Sequence, residues 1–225
     1  EHLLFEGSEN LERGEFMKII PANGGTFNAY TSNDETYYYE IFPSNKLELG
    51  LWMESERMLH PVIDEVGVET QNEVVKEEKR QSYDRPYGKI FKVLGENLFS
   101  VHPYKDENIG RMEDLDAATL DDFYSYFEKY YGPGNAVLVV AGDINIEETK
   151  GLVTKYFSAV KPKPELVRSF PQEEPITELS RVKTYDANIQ VPAILAAYRT
   201  PGYTERDAYV LDMISAYLYI SGVFD

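Results

Sequence analysis

Residues 25–42, GTFNAYTSNDETYYYEIF, constrain the fold more than any other stretch of the chain. They are rich in Thr, Tyr, Phe and Ile, and a polar turn, Ser32-Asn33-Asp34, sits in the middle. Such a pattern predicts a β-hairpin, with strands near 26–31 and 36–42. The period of two puts Tyr38 on the opposite face from Tyr37 and Tyr39. Helical patterns flank the hairpin. Residues 1–6 read as the end of a helix closed by Gly7, and 13–22 as a short helix interrupted by Pro21 and stopped by Asn23-Gly24-Gly25. Pro43-Ser44-Asn45 starts a helix over 46–60, with Leu47, Leu51, Met58 and Leu59 on its buried side. Further helices are expected over 69–83 and 87–99, with 100–116 irregular. Thr119 and Asp122 form a capping-box-like start for the next helix, which Gly132-Pro133-Gly134 breaks. NAVLVVAGD reads as a buried strand and 146–158 as an amphipathic helix. The expected fold class is α+β, with helices on one face of a mostly antiparallel sheet and NAVLVVAG central and buried.

Pro162, Pro164, Pro171 and Pro175 mark 162–175 as a linker. A first domain is expected over 1–161, lacking its first residues. The beginning of a second, incomplete domain is expected over 176–225, with strands at 180–186 and 190–198 and a helix over 204–221 carrying Leu211, Ile214 and Leu218.

Composition narrows the function. The chain has 225 residues, 43% of them hydrophobic, enough for a real core. A formal net charge of −17 argues against nucleic acid or an anionic membrane as partner and favours basic peptides. The absence of cysteine excludes disulfides, thiolate metal sites and cysteine nucleophiles. No apolar run approaches the roughly 18 residues of a membrane span.

One charged stretch, ETQNEVVKEEKRQSYD, has an odd feature. At helical spacing Gln71, Val74, Val75 and Glu78 share a face, so Glu78 points where apolar side chains point. A carboxylate so placed needs a partner: a Lys or Arg, or a metal ion. His2, 76 residues earlier, is either a histidine satisfied within the core or a second donor to such an ion.

A series of segments resembles one family in order: EHLLFEGSEN, NGGTFNAYTSNDETYYY, ESERMLHPV, NEVVKEEKRQ, HPY, YYGPGNAVLVVAGDI and YFSAV. They resemble the pitrilysin- or insulinase-like zinc metallopeptidases, best the shorter bacterial members, and also the mitochondrial processing peptidase subunits. After the linker, IQVPAILAAYRTP and DAYVLDMISAYL look like the start of that family's second homologous domain. The family signature is His-x-x-Glu-His on a helix, the inverted zincin form, with a distant Glu as third ligand. Glu1-His2 match its last two letters and Glu78 matches the distant Glu, so the chain as given is expected to start inside the motif and to be inactive without the first His.

The resemblance implies that Glu1 is the catalytic base, that His2 and Glu78 are zinc ligands, and that Asn28 and Ala29 line a substrate-pairing strand. It implies a zinc endopeptidase acting on peptides or unfolded polypeptides through metal-activated water. A homodimer or a hetero-oligomer with a related subunit is also implied, and the alternative is a non-catalytic member that binds peptides or serves as a partner subunit. A periplasmic or secreted location is the expectation. One departure stands out: many active members carry Glu seven residues before the ligand Glu, and Gln71 stands there. His60 and His102 match no ligand; they read as a helix-end or surface residue and a turn residue.

Overall fold

The computed structural model describes residues 1–220. The hairpin forms as expected: β1 (Thr26–Thr31) and β2 (Thr36–Ile41) pair antiparallel in the register Thr26↔Ile41 to Thr31↔Thr36. Among the described residues these two strands are the whole sheet. Tyr30 and Tyr37, directly opposite across the strands, stack on the exposed face with ring centroids 5.3 Å apart. Tyr38 turns inward, as its alternation predicts.

Eight α-helices are present among the described residues: α1 Phe16–Ala22, α2 Leu47–Leu59, α3 Glu65–Asp84, α4 Ile90–Leu98, α5 Met112–Ala117, α6 Leu120–Tyr130, α7 Ile146–Phe157 and α8 Arg206–Ile220. The architecture is α+β, rich in helix, with a small antiparallel sheet. Ends are set by local chemistry. Gly24 (φ +77°) turns the chain out of α1, and a side chain at Gly25 would collide with the Phe42 ring. Asp64 caps α3 by accepting from the Gly67 N–H at 2.7 Å. Thr119 and Asp122 form the expected capping box of α6.

Two apolar clusters hold the hairpin. Leu11, Phe16, Ile20 and Met53 pack with Phe27, Phe42 and Trp52. Leu3, Leu4, Ile63, Val68 and Phe127 pack with Tyr38, Phe123 and Tyr131. The second cluster joins the first residues of the chain to α3 and α6, which is what fixes the site described below.

Several expectations are corrected. NAVLVVAGD is neither a strand nor buried: residues 136–141 are irregular, with Val137 90% and Val139 71% exposed. A strand needs a neighbour to take its backbone groups, and among the described residues none lies beside it. No strand forms at 180–186 or 190–198 for the same reason. The buried side of α2 is Leu51, Met53, Ser55, Glu56 and Arg57; Leu47, Met58 and Leu59 are only half-buried. Residues 100–116 contain a 3₁₀ turn at Pro103–Lys105 as well as α5. α8 begins at Arg206, while the expected last residue, Ser221, and the stretch 222–225 lie outside the described residues.

A buried charge cluster sits behind the hairpin. The Arg57 guanidinium lies 4.4 Å from the Tyr38 ring, 4.5 Å from Phe5 and 5.0 Å from Phe16. It donates to Glu54 through Nε (3.1 Å) and Nη2 (3.2 Å), and to the Leu4 carbonyl through Nη1 (2.7 Å). Glu40 approaches it only at 3.8 Å. Both Glu40 carboxyl oxygens are buried and accept no hydrogen bond. Burial first, and the neighbouring Glu54 second, push the Glu40 carboxyl up to about 9. Glu40 is therefore uncharged at neutral pH.

The sign follows by linkage: above the ordinary carboxyl value of 4.5 the unfolded chain has released this proton, while the native state keeps it up to about 9. Stability from this group is present in full below that ordinary value and is lost as pH rises toward 9. Glu40→Gln supplies a side chain of the same shape that is neutral at every pH. It should raise stability at about pH 8 by about 1–3 kcal/mol and leave it unchanged near about pH 4. Urea melts at the two pH values check this, and a variant less stable at both would refute the protonated state.

Candidate metal centre

The chain enters through one 3₁₀ turn, His2–Phe5, rather than a longer helix end. Burial of Leu3 and Leu4 in the second cluster, and the Arg57 bond to the Leu4 carbonyl, fix this turn against α3. His2 then lies beside two residues of α3 two turns apart, Gln71 and Glu78.

The hydrogen bonds around His2 fix its ring orientation. Gln71 Nε2 donates to Glu6 Oε1 at 2.5 Å. A carboxylate accepts only, so this fixes the Gln71 amide with Oε1 toward His2 Nδ1, 3.1 Å away. Nδ1 then acts as the donor, and Nε2 is the ring nitrogen that faces Glu78. Glu6 is held in turn by Arg13, which also donates to both Asp64 oxygens at 2.8 and 2.9 Å. Arg13 and the Gly67 N–H hold the Asp64 carboxyl below the usual carboxylate range, with the Gly67 bond the larger cause. The cap of α3 and the orientation of His2 thus belong to one polar chain.

His2 Nε2 and Glu78 Oε1 are 3.7 Å apart. That is too long for a direct hydrogen bond. It is close to the edge of a zinc tetrahedron, about 3.4 Å for nitrogen and oxygen donors each about 2.1 Å from the ion. Glu78 is 53% exposed, so it is not on the buried stripe as expected. The buried positions of α3 are Gly67, Val68, Lys76 and Lys79, and Val74 is exposed. Glu78 stands at the edge of that stripe, where its carboxylate has solvent access as well as His2.

Glu1, which precedes His2 in the chain, is half-buried. Its carboxylate accepts from Thr31 Oγ1, at the end of β1, at 2.5 Å. Its carbonyl lies 3.4 Å from the Tyr38 hydroxyl, which is 2.7 Å from that of Tyr131. Burial pushes Tyr38 far up, so it remains a neutral donor.

Asn28 and Ala29 lie on β1 opposite Tyr39 and Tyr38. Asn28 is exposed and Ala29 half-buried, and the far edge of β1 is unpaired among the described residues. The Ala29 N–H donates to Asn28 Oδ1 at 2.9 Å. Among the described residues no three His, Cys, Asp or Glu side chains converge to hold a metal ion; His2 and Glu78 are the candidate pair. His60 pairs with Glu9 at 3.4 Å, and His102 Nδ1 accepts from the Tyr104 N–H, both apart from the site. Thr31 and the Glu6–Arg13–Asp64 chain carried no signal in the sequence, because each acts through contacts between residues distant along the chain.

Two family models match in succession. One, described as Insulinase (Peptidase family M16), covers residues 1–110; the other, described as Peptidase M16 inactive domain, covers 117–219. The chain belongs to the insulinase-like M16 peptidase family. It is 31% identical over 221 residues to the zinc protease PqqE of Helicobacter pylori, covering 97% of this chain and 50% of that protein. It is 26% identical over 165 residues to the probable mitochondrial-processing peptidase subunit beta of Schizosaccharomyces pombe, covering 73% of this chain and 36% of that protein. The crystal structure of a protease from Helicobacter pylori superposes with TM-score 0.71 and 33% identity, over 76% of this chain and 41% of that one. The first half of the periplasmic protease PqqL of Escherichia coli shares the fold, with TM-score 0.66 and 22% identity over 76% of this chain and 39% of that one. This chain spans about half the length, or less, of the curated relatives it matches. Several of these relatives are named zinc proteases, among them those of Helicobacter pylori and Mycobacterium leprae. No described helix is long and apolar enough to cross a membrane.

Proposed function

We propose that this protein is a zinc endopeptidase of peptides or unfolded polypeptides. The observation that carries the reading is the His2 Nε2–Glu78 Oε1 separation of 3.7 Å, with Nδ1 already committed to Gln71. The two donors fit zinc by type and spacing. On this reading the third ligand is the first His of the signature, three positions before Glu1. When bound, zinc supplies a water of lowered pKa and polarises the scissile carbonyl. Glu1 takes the proton of the attacking water and passes it to the leaving amine, which departs as the C–N bond breaks. Thr31 steers the Glu1 carboxylate by donating to it. The free edge of β1, at Asn28-Ala29, receives the substrate backbone as an added strand, competing with Asn28 for the Ala29 N–H.

Bound zinc and peptide cleavage in the whole protein test this. Chelator should abolish cleavage, and His2→Ala and Glu78→Gln should each lose zinc. Cleavage that survives chelator would sink the proposal. Gln71→Ala, which frees the His2 ring, should lower zinc affinity about 10–100-fold with little loss of fold, and a zinc titration with a competing chelator reads this directly.

A second reading, a non-catalytic partner subunit, is favoured by Gln71, which stands where many active members carry Glu. Zinc-free protein that binds peptides without cleaving them would support it.

A further inference from the structure

We infer that Glu173 is a positioning residue for the candidate site, acting through the loop 99–111. The inference rests on the zinc-peptidase reading for its catalytic consequence, but its structural content stands alone. Three successive N–H groups, of Ser100, Val101 and His102, each donate to Glu173 Oε1 at 2.7 Å. Converging amides of this kind form a concave nest for an anion. Glu173 comes from the Pro-rich segment some seventy residues away and fills it. Its other oxygen faces Arg199 at 3.7 Å, and Arg199 Nη2 donates to the Glu174 carbonyl at 2.8 Å. The amides, His102 first, hold the Glu173 carboxyl below the usual range, so it is charged at neutral pH.

The loop so anchored grips the site from two sides. Asn108 Nδ2 donates to the carbonyl of Thr31, whose hydroxyl touches the Glu1 carboxylate. Tyr104 donates to Asp34, in the hairpin turn, at 2.5 Å. On the other side Lys79, next to Glu78 in α3, donates to Glu107 Oε2 at 3.0 Å and to the Gly110 carbonyl at 2.5 Å, and Tyr83 also donates to Glu107. The loop has little regular structure of its own, a single 3₁₀ turn before Met112, so its shape comes from these anchors. Releasing Glu173 leaves three N–H groups to water at one end and loosens the grip on the neighbours of Glu1 and Glu78 at the other.

Amide hydrogen exchange on the full chain tests the coupling without reference to zinc. Glu173→Ala should speed exchange at residues 100–102, 104–110 and 79–83 by about tenfold or more. Glu173→Gln keeps an acceptor oxygen, should fall between parent and Ala, and carries the test if the Ala variant does not fold. Faster exchange confined to 100–102, or no change, would overturn the inference. In the whole protein, zinc affinity and kcat should both fall in Glu173→Ala while KM changes less. If the parent neither binds zinc nor cleaves peptides, the peptidase reading fails, and the exchange pattern alone decides the positioning role. If the parent is active and the variant keeps full zinc affinity and kcat, the inference fails and the peptidase reading stands.

Discussion

Glu1→Gln in the whole protein should keep its zinc and lose about 10²–10⁴-fold in kcat for peptide hydrolysis. The amide is isosteric with the carboxylate, and Thr31 Oγ1 can still donate to its oxygen. What it cannot do is accept the water's proton. The proposed metal donors, His2 and Glu78, are separate side chains, and the Gln71 bond that fixes His2 does not involve Glu1. Zinc content by atomic absorption should therefore match the parent. Two outcomes would contradict the assignment of Glu1 as base: hydrolysis within a few-fold of the parent, or loss of zinc in parallel with activity.

Arg57→Ala should destabilise the fold by about 3–5 kcal/mol, because it strands buried partners and not merely because it removes an attraction. The Arg57 side chain is 3% exposed. Its loss leaves the Glu54 carboxylate without its two-pronged donor, and the Leu4 carbonyl without a donor. It also opens a void between Phe5, Phe16 and Tyr38. For a chain of this length the melting temperature should drop by about 10 °C. Arg57→Lys keeps the charge but not the planar fork, and should recover only part of the loss. Because Leu4 belongs to the turn that carries His2, zinc affinity should weaken at temperatures where the variant is still folded. A thermal melt that matches the parent would show the cluster to be dispensable.

The hairpin was legible because its signal is local: β-prone residues, a polar turn and a period of two all lie within 25–42. The capping box at Thr119–Asp122 was legible for the same reason. The strand at NAVLVVAGD was not, since an apolar run states that residues are sticky but not that a neighbour is present to pair with them. The buried face of α3 was misjudged for a different reason. Lys76 and Lys79 lie under their own ion pairs, Lys76 with Asp116 at 2.6 Å and Glu73 at 2.9 Å, and Lys79 with Glu107. Their long stems bury well once the heads are neutralised, whereas a count of apolar residues favours Val74, which is exposed. Spacing along α3 still put Gln71 and Glu78 on one side, and both do meet His2. Gln71 read as a departure from the family pattern. In the structure its amide oxygen accepts from His2 Nδ1 and orients the ring, a role that depends on Glu6 and could not be read from position alone.

The irregular stretch 136–141 has a colloidal consequence. It sets bare valine side chains beside backbone groups that no described strand satisfies. Such a segment is a template on which a second molecule can lay down the same six residues. The formal charge of −17 opposes such association. That protection depends on ionised carboxylates and on weak screening. Light scattering during an acid titration, or at rising salt, should show clustering well before the helical signal is lost, and replacing Val139 with Lys should delay it.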